Sequence, residues 1–255
     1  MKIYLTIISV SFFLFFQGCN TGVAPQENNY EMTTSDDSNI PDSVKSLYLQ
    51  DAARLSLRYL YIQKSPDTLL IEIPNNLVSL LYSGLIHIYN CKTLDNTKYI
   101  TKTNPIHTFP RPVLNTLLVA VDTSYSWTKA WQNKTVTTDN SQINDLILPY
   151  DFKIHSYFSL TTYYVAELKT DRSINLYALS ERLEKIPGVL HAGPDSYGGG
   201  GNDIEATIYT NSNIEYIFSI GWGDCPSGCI ERHYWKYTVD TEGYVHFVKE
   251  YGNQL

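Results

Sequence analysis

Apolar residues recur at spacings of three and four in two segments near the start of the chain. Val44, Tyr48, Ala52, Leu55, Tyr59 and Ile62 form one stripe, which predicts a helix over residues 42–63 with Asp42 at its N-cap. Lys45, Arg54 and Arg58 fall off that stripe. Ser65-Pro66-Asp67 breaks the pattern, and Leu69 to Ile73 predicts a short strand. Leu77, Leu81, Leu85 and Ile88 predict a second helix, starting around Pro74 to Asn76 and ending near Asn90. Two helices apolar on one side need something to cover, and a sheet face is the expected surface.

Residues 91–112 are rich in Thr, Asn and Pro and predict a long loop. Thr116 to Val121 is a continuous apolar run, the pattern of a strand buried on both faces. Ser124 to Gln132 and Ser141 to Leu148 predict helices. Lys153 to Leu160 and Thr162 to Lys169 predict adjacent strands with a tight turn near Thr161. Ser173 is the expected N-cap of a helix with the stripe Leu176, Leu179, Leu183 and Ile186, which Pro187-Gly188 stops. Val189 to Ala192 predicts a short strand. The order β-α-β-β-α-β is that of the ferredoxin-like split unit, whose crossovers are right-handed with both helices on one face of an antiparallel sheet. Beyond the glycine run Gly198 to Gly201, alternation over residues 203–250 predicts an antiparallel meander, its last pair joined at Asp240-Thr241-Glu242-Gly243. The expected fold class is α+β: a helical part over 41–112, a ferredoxin-like unit over 113–196 and a β-meander over 197–255 that extends or abuts its sheet.

The N-terminus carries a different signal. Lys2 precedes the uncharged apolar run Ile3 to Phe16, and Gln17-Gly18-Cys19 follows at once. Such a run is shorter than the ~20 residues of a membrane-spanning helix and has the length of a signal-peptide core. Gly18-Cys19 resembles the lipobox of bacterial lipoproteins, with Phe16 where that motif usually has Leu. The resemblance implies removal of residues 1–18, fatty acyl chains (palmitate among them) on Cys19, and membrane attachment through that lipid. An ordinary signal peptide cut elsewhere, or an uncleaved anchor, are the other readings. Residues 19–40 are polar and predict a tether.

The formal net charge of −7 changes little after that cleavage, because Lys2 is the one charge lost. An acidic surface without a Lys/Arg cluster repels polyanions, so nucleic acid is excluded as the expected partner; an envelope protein is the expected one. The 21 tyrosines suit half-buried strand faces and binding surfaces. With Cys19 assigned to lipid, Cys225 and Cys229 read as a local disulfide in an exported protein, and Cys91 as a buried free thiol. An extended strand would hold Cys225 and Cys229 roughly 13 Å apart, beyond bridging distance, so Pro226 and Gly228 must turn the chain.

The stretch from Ala178-Leu179-Ser180 through Ile186-Pro187-Gly188-Val189 to Gly193-Pro194-Asp195 resembles part of the inhibitor-I9 propeptide family, which implies a ferredoxin-like fold and inhibition of a protease; no protease domain follows. Gly221-Trp222-Gly223-Asp224-Cys225-Pro226-Ser227-Gly228-Cys229 resembles a segment of uncharacterised exported Gram-negative proteins, which implies no activity. Three readings compete there. A disulfide closes a rigid hairpin tip, with Trp222 and Trp235 packing across it. Cys225, Cys229 and His233 bind a metal. Cys225 is a nucleophile with His233 as its base. The first is the expectation, with no metal and no cofactor. Asp195, Asn202 and Asp203 could offer oxygens to calcium, but at no EF-hand spacing, so a plain glycine loop is expected. The six histidines include His155 and His191 on expected strands, and no HExxH, G-x-S-x-G, P-loop or G-x-G-x-x-G occurs. The expected function is a non-catalytic, membrane-anchored binding or inhibitor-like module using Trp222, Asp224, His233 and Trp235. The alternative is a secreted hydrolase built on Asp224, Cys225 and His233, and a structural envelope protein is the third class.

Overall fold

The computed structural model describes residues 32–160 and 163–255, so the expected leader, Cys19 and the turn expected near Thr161 lie outside the described residues. The fold is mixed α and β, with two antiparallel four-stranded sheets. Helix α1 spans Asp42–Ile62, α2 Asn75–Asn90, and a short α3 Asp95–Lys98. Strand β1 is Thr116–Val121, followed by α4 (Thr128–Gln132), α5 (Ser141–Ile147), β2 (Lys153–Leu160), β3 (Tyr163–Lys169), α6 (Leu176–Leu183) and β4 (Val189–Pro194). Strands β5 (Asp203–Ile208), β6 (Ile214–Trp222), β7 (Glu231–Val239) and β8 (Val245–Gly252) complete the chain. The first sheet has the order β2-β3-β1-β4 and the second β5-β6-β7-β8.

Each sheet has its own core. Leu55, Leu81, Leu85 and Ile88 of α1 and α2 pack with Ile204, Tyr216, Phe218, Trp235 and Tyr237 of the second sheet. Leu117, Val119, Val121, Ala166 and Leu168 of the first sheet pack with Trp127, Trp131, Ile143, Leu179 and Leu183. The N-terminal helices therefore cover the C-terminal sheet, and the β1–β4 unit is inserted between them in sequence. The meander is a separate sheet rather than an extension of the first.

Helix α2 approaches the second sheet closely at Gly84. A Cβ there would lie 2.8 Å from a ring carbon of Tyr216, whose hydroxyl donates to the Leu81 carbonyl at 2.8 Å. Burial pushes the Tyr216 hydroxyl well above its ordinary pKa.

Several local expectations are corrected. Leu69 to Ile73 is not a strand: Pro66–Leu69 is a 3-10 turn, and Ile71 and Ile73 enter different cores. Residues 91–112 hold α3 and a π-helical turn at Tyr99–Thr103. Helix α4 begins at Thr128, since Asp122 to Trp127 are taken up by turns. Asn175, not Ser173, caps α6, its side-chain oxygen accepting from the Ala178 amide. Asp42 lies inside α1, with Pro41 at the cap position. Ile62, expected in the buried stripe, is 72% exposed. Residues 32–40 lie along the body: the Thr33 amide donates to Thr241, Tyr82 donates to Asp37, and Ile40 is buried. Cys91 is free but half-buried, its thiol 3.4 Å from the Thr93 hydroxyl. No helix among the described residues is long and apolar enough to cross a membrane.

Candidate functional site

A groove of about 960 Å³ opens where the two bodies meet. Helix α1, the strap 109–112, the glycine run, β5 and α6 form its walls. The strap joins α3 to β1, and α1 holds it with three polar side chains one turn or so apart. Asp51, 1% exposed, accepts from the Thr108 amide at 2.9 Å, the Thr108 hydroxyl at 2.6 Å and His107 Nδ1 at 2.6 Å. Arg54 donates to the Thr108 hydroxyl and the Pro112 carbonyl. Burial pulls Arg54 below its ordinary pKa, and the neighbouring Asp51 opposes that shift. Arg58 donates to the carbonyls of Phe109, Arg111 and Ile204 and to both carboxylate oxygens of Asp203, at 2.9 and 3.1 Å. Asp203 Oδ1 accepts in addition from the Phe109 amide at 2.7 Å. The floor of the groove is thus a closed polar network that ties helix, strap and sheet together.

Asn175, fully buried, ties the bodies at the other end. Its amide nitrogen donates to the Thr68 and Leu70 carbonyls at 2.8 and 3.1 Å, and its oxygen accepts from Tyr61. Tyr61 and Tyr177 meet edge to face, with centroids 6.1 Å apart, and form an aromatic rim beside exposed Ile62. Burial raises the Tyr61 pKa.

Cys225 and Cys229 form a disulfide with Cα atoms 3.7 Å apart, closed by the turn Cys225–Ser227 and by Gly228 and Cys229 at positive φ. The glycine run docks on this loop main chain to main chain. The Gly200 amide donates to the Cys225 carbonyl at 2.7 Å, and a Cβ on Gly200 would lie 2.7 Å from the Gly228 carbonyl oxygen. Only a residue without a side chain fits there. The disulfide loop and the glycine run, read separately from the sequence, are one wall of the groove.

The remaining sequence-derived candidates do not converge on a reacting centre. Trp222 pairs with Glu231 and Trp235 with Phe218 on the β6–β7 ladder, four residues apart along it, so the two indoles do not pack across the disulfide. Trp235 is a core residue at 2% exposure, against Tyr99 and His233. His233 is 8% exposed, with Nδ1 2.6 Å from the Asn253 carbonyl and Nε2 2.8 Å from Glu250. Both partners are oxygens, so neither ring nitrogen is left to serve as base for a thiol or as a metal ligand. Asp224 is exposed and accepts from the Ser227 hydroxyl at 2.7 Å. Asp195, Asn202 and Asp203 are spent apart: on the Ser196 amide, the Gly221 amide and Arg58. No group of three His, Cys, Asp or Glu among the described residues could hold a metal ion. His155 is exposed, and His191 pairs with Glu184 at 2.6 Å on the surface.

The groove residues Arg58, Phe109, Tyr61, Tyr177 and Glu205 were not among the sequence candidates, and Glu181, three residues before Glu184 on one helix, reads from the sequence as part of a solvated face. The signal present in the sequence was Asp51, Arg54 and Arg58 at helical spacing beside the apolar stripe, a second, polar stripe on the same helix. Comparisons of the chain with protein-family models, with curated proteins and with solved structures find no match to any of them.

Proposed function

We propose that the chain is a non-catalytic binding module of the cell envelope, held at a membrane by acyl chains on Cys19, with the groove between its two bodies as the binding site. The groove itself carries this reading. It is concave, aromatic at its rim and apolar enough to hold a ligand, and the polar groups of its floor are already satisfied by one another. A catalytic site needs acid, base and nucleophile aimed at a common point; Arg58 and Asp203 instead spend their hydrogen bonds on the protein. For the β1–β4 unit we favour the ferredoxin-like arrangement. The strand order β4-β1-β3-β2, read from the other edge, and the burial of α4, α5 and α6 residues with one set of β1–β4 side chains support it.

The test places a photoreactive amino acid at Ile62, on the rim, or at Tyr244, on the far β7–β8 turn, in the full-length chain in its own cells. A discrete adduct from position 62 that position 244 does not form is expected. The same adducts from both positions, or none from 62, would refute the groove as the binding site. Cys19→Ser is expected to lose its fatty acid by mass spectrometry and to leave the membrane fraction; an unchanged distribution would remove the anchor.

A further inference from the structure

We propose that the groove takes an extended polypeptide segment, which adds to the free edge of β5 and brings a basic side chain to Glu181 and Glu205. The proposal rests on the groove being the binding site and names what binds there.

Strand β5 pairs on one side only, with β6. The Tyr209 amide continues that pairing to Asn213, so odd-numbered residues of β5 aim their main chain at β6. Even-numbered residues aim theirs outward. The outward groups of Ile204 are closed off: its carbonyl accepts from Arg58 at 2.9 Å, and its amide donates to Asp203 at 2.9 Å. This is a local guard at the start of the edge. The outward amides and carbonyls of Ala206 and Ile208 have no such partner among the described residues. Ala206 borders the groove directly. An unpaired strand edge in a concave site is the template that incoming strands use, with main-chain hydrogen bonds for affinity and pockets for alternate side chains.

The charges of the groove are unequally satisfied. Arg58 is closed by Asp203, Arg232 donates to the Ser219 hydroxyl, and Arg111 donates to the Tyr197 carbonyl. Glu181 and Glu205 also line the groove, and their carboxylates have no hydrogen bond or ion pair among the described residues. A Lys or Arg on the added strand supplies the missing donor, and the net charge of −7 favours approach of a basic segment. Side chains alternate along a strand, so a neighbour of that basic residue meets the Tyr61–Tyr177 rim and exposed Ile62.

The probe is a fluorescein-labelled octapeptide of alternating Lys and Val, its binding to the full chain followed by anisotropy. Saturable binding is expected. Backbone N-methylation of one alternate set of amides should weaken it by about tenfold or more, and methylation of the other set should not. Ala206→Pro should weaken it similarly. Proline there replaces an outward N–H and leaves the β6 ladder intact, which an unchanged thermal midpoint would verify. Glu181→Gln with Glu205→Gln should cost roughly fivefold, and the Glu/Val octapeptide should not bind. Binding indifferent to N-methylation and to Ala206→Pro, equal binding of the acidic peptide, or no saturable binding would each overturn strand addition. If that happens while Ile62 still crosslinks to a partner, the groove stands and only its occupant is wrong; loss of the crosslink removes the site itself.

Discussion

The two bodies of this protein reach a packed core by opposite routes. The β1–β4 unit is contiguous in sequence and packs mainly aliphatic side chains around Trp127 and Trp131. The other body is assembled from the two ends of the described chain; its core is also mainly aliphatic and holds the rings of Tyr48, Tyr216, Phe218, Trp235 and Tyr237. Contacts between residues some 140 positions apart close it, as when Arg58 reaches Asp203 and Ile204. The contiguous unit needs only local chain closure. The split one relies on a buried polar network, on α1 and the strap, to join its halves. The functional consequence lies at the seam, where that network doubles as the floor of a groove that neither body could form alone.

The tryptophans make the comparison measurable, because Trp127 and Trp131 report on the inserted body while Trp222 and Trp235 report on the split one. The largest effect is expected from Asp51→Ala. It leaves half-buried Arg54 without its carboxylate and the Thr108 amide unpaired, and should destabilise the split body by about 3 kcal/mol. Denaturant unfolding read from Trp235 should shift while the Trp131 signal moves much less; equal shifts would mean one cooperative core. Leu179→Ala is the mirror experiment. It opens a cavity under α6 at a fully buried side chain and should cost about 2–5 kcal/mol, read first from Trp131.

Alkali separates the bodies by another property. Burial raises the pKa values of Tyr48, Tyr216 and Tyr237 in the split body by more than those of Tyr150 and Tyr157 in the inserted one. The folded state keeps these hydroxyls protonated while the unfolded chain ionises near pH 10, so the stability they lend is present below pH 10 and is lost as pH rises beyond it. Each should cost on the order of 1 kcal/mol per pH unit above 10. In thermal melts from pH 9 to 11, the Trp235 midpoint should fall more steeply than that of Trp131; parallel slopes would contradict the assignment. Gly84→Ala should cost about 1–3 kcal/mol by forcing α2 off the Tyr216 ring. Combining it with Tyr216→Phe should give less than the sum of the single effects, and strict additivity would place the clash elsewhere.

The stripes of α1, α2 and α6, the β1 run and the alternation in β6 were legible because periods of 3.6 and 2 are written locally. Which sheet α1 and α2 cover was not legible, since periodicity marks a face as apolar without naming its partner. Leu69 to Ile73 misled for a related reason: Ile71 and Ile73 belong to different cores, so a short apolar run crossing the seam imitates a strand. The disulfide was readable from spacing and turn residues. Its docking on Gly199 to Gly201 was not, because main-chain contact between distant loops leaves only an unexplained glycine run in the sequence. Arg54 and Arg58 read only as charges off the apolar stripe, and the strap brought over them makes them half-buried partners.

The central claim, two separately cored bodies with the groove at their seam, is tested most directly by native-state hydrogen exchange at increasing denaturant. Amides of α1, α2 and β5–β8 should merge onto one opening isotherm, and those of β1–β4 and α6 onto another. If α1 and α2 instead exchange together with β1–β4, or all elements share a single isotherm, the division into two bodies is wrong.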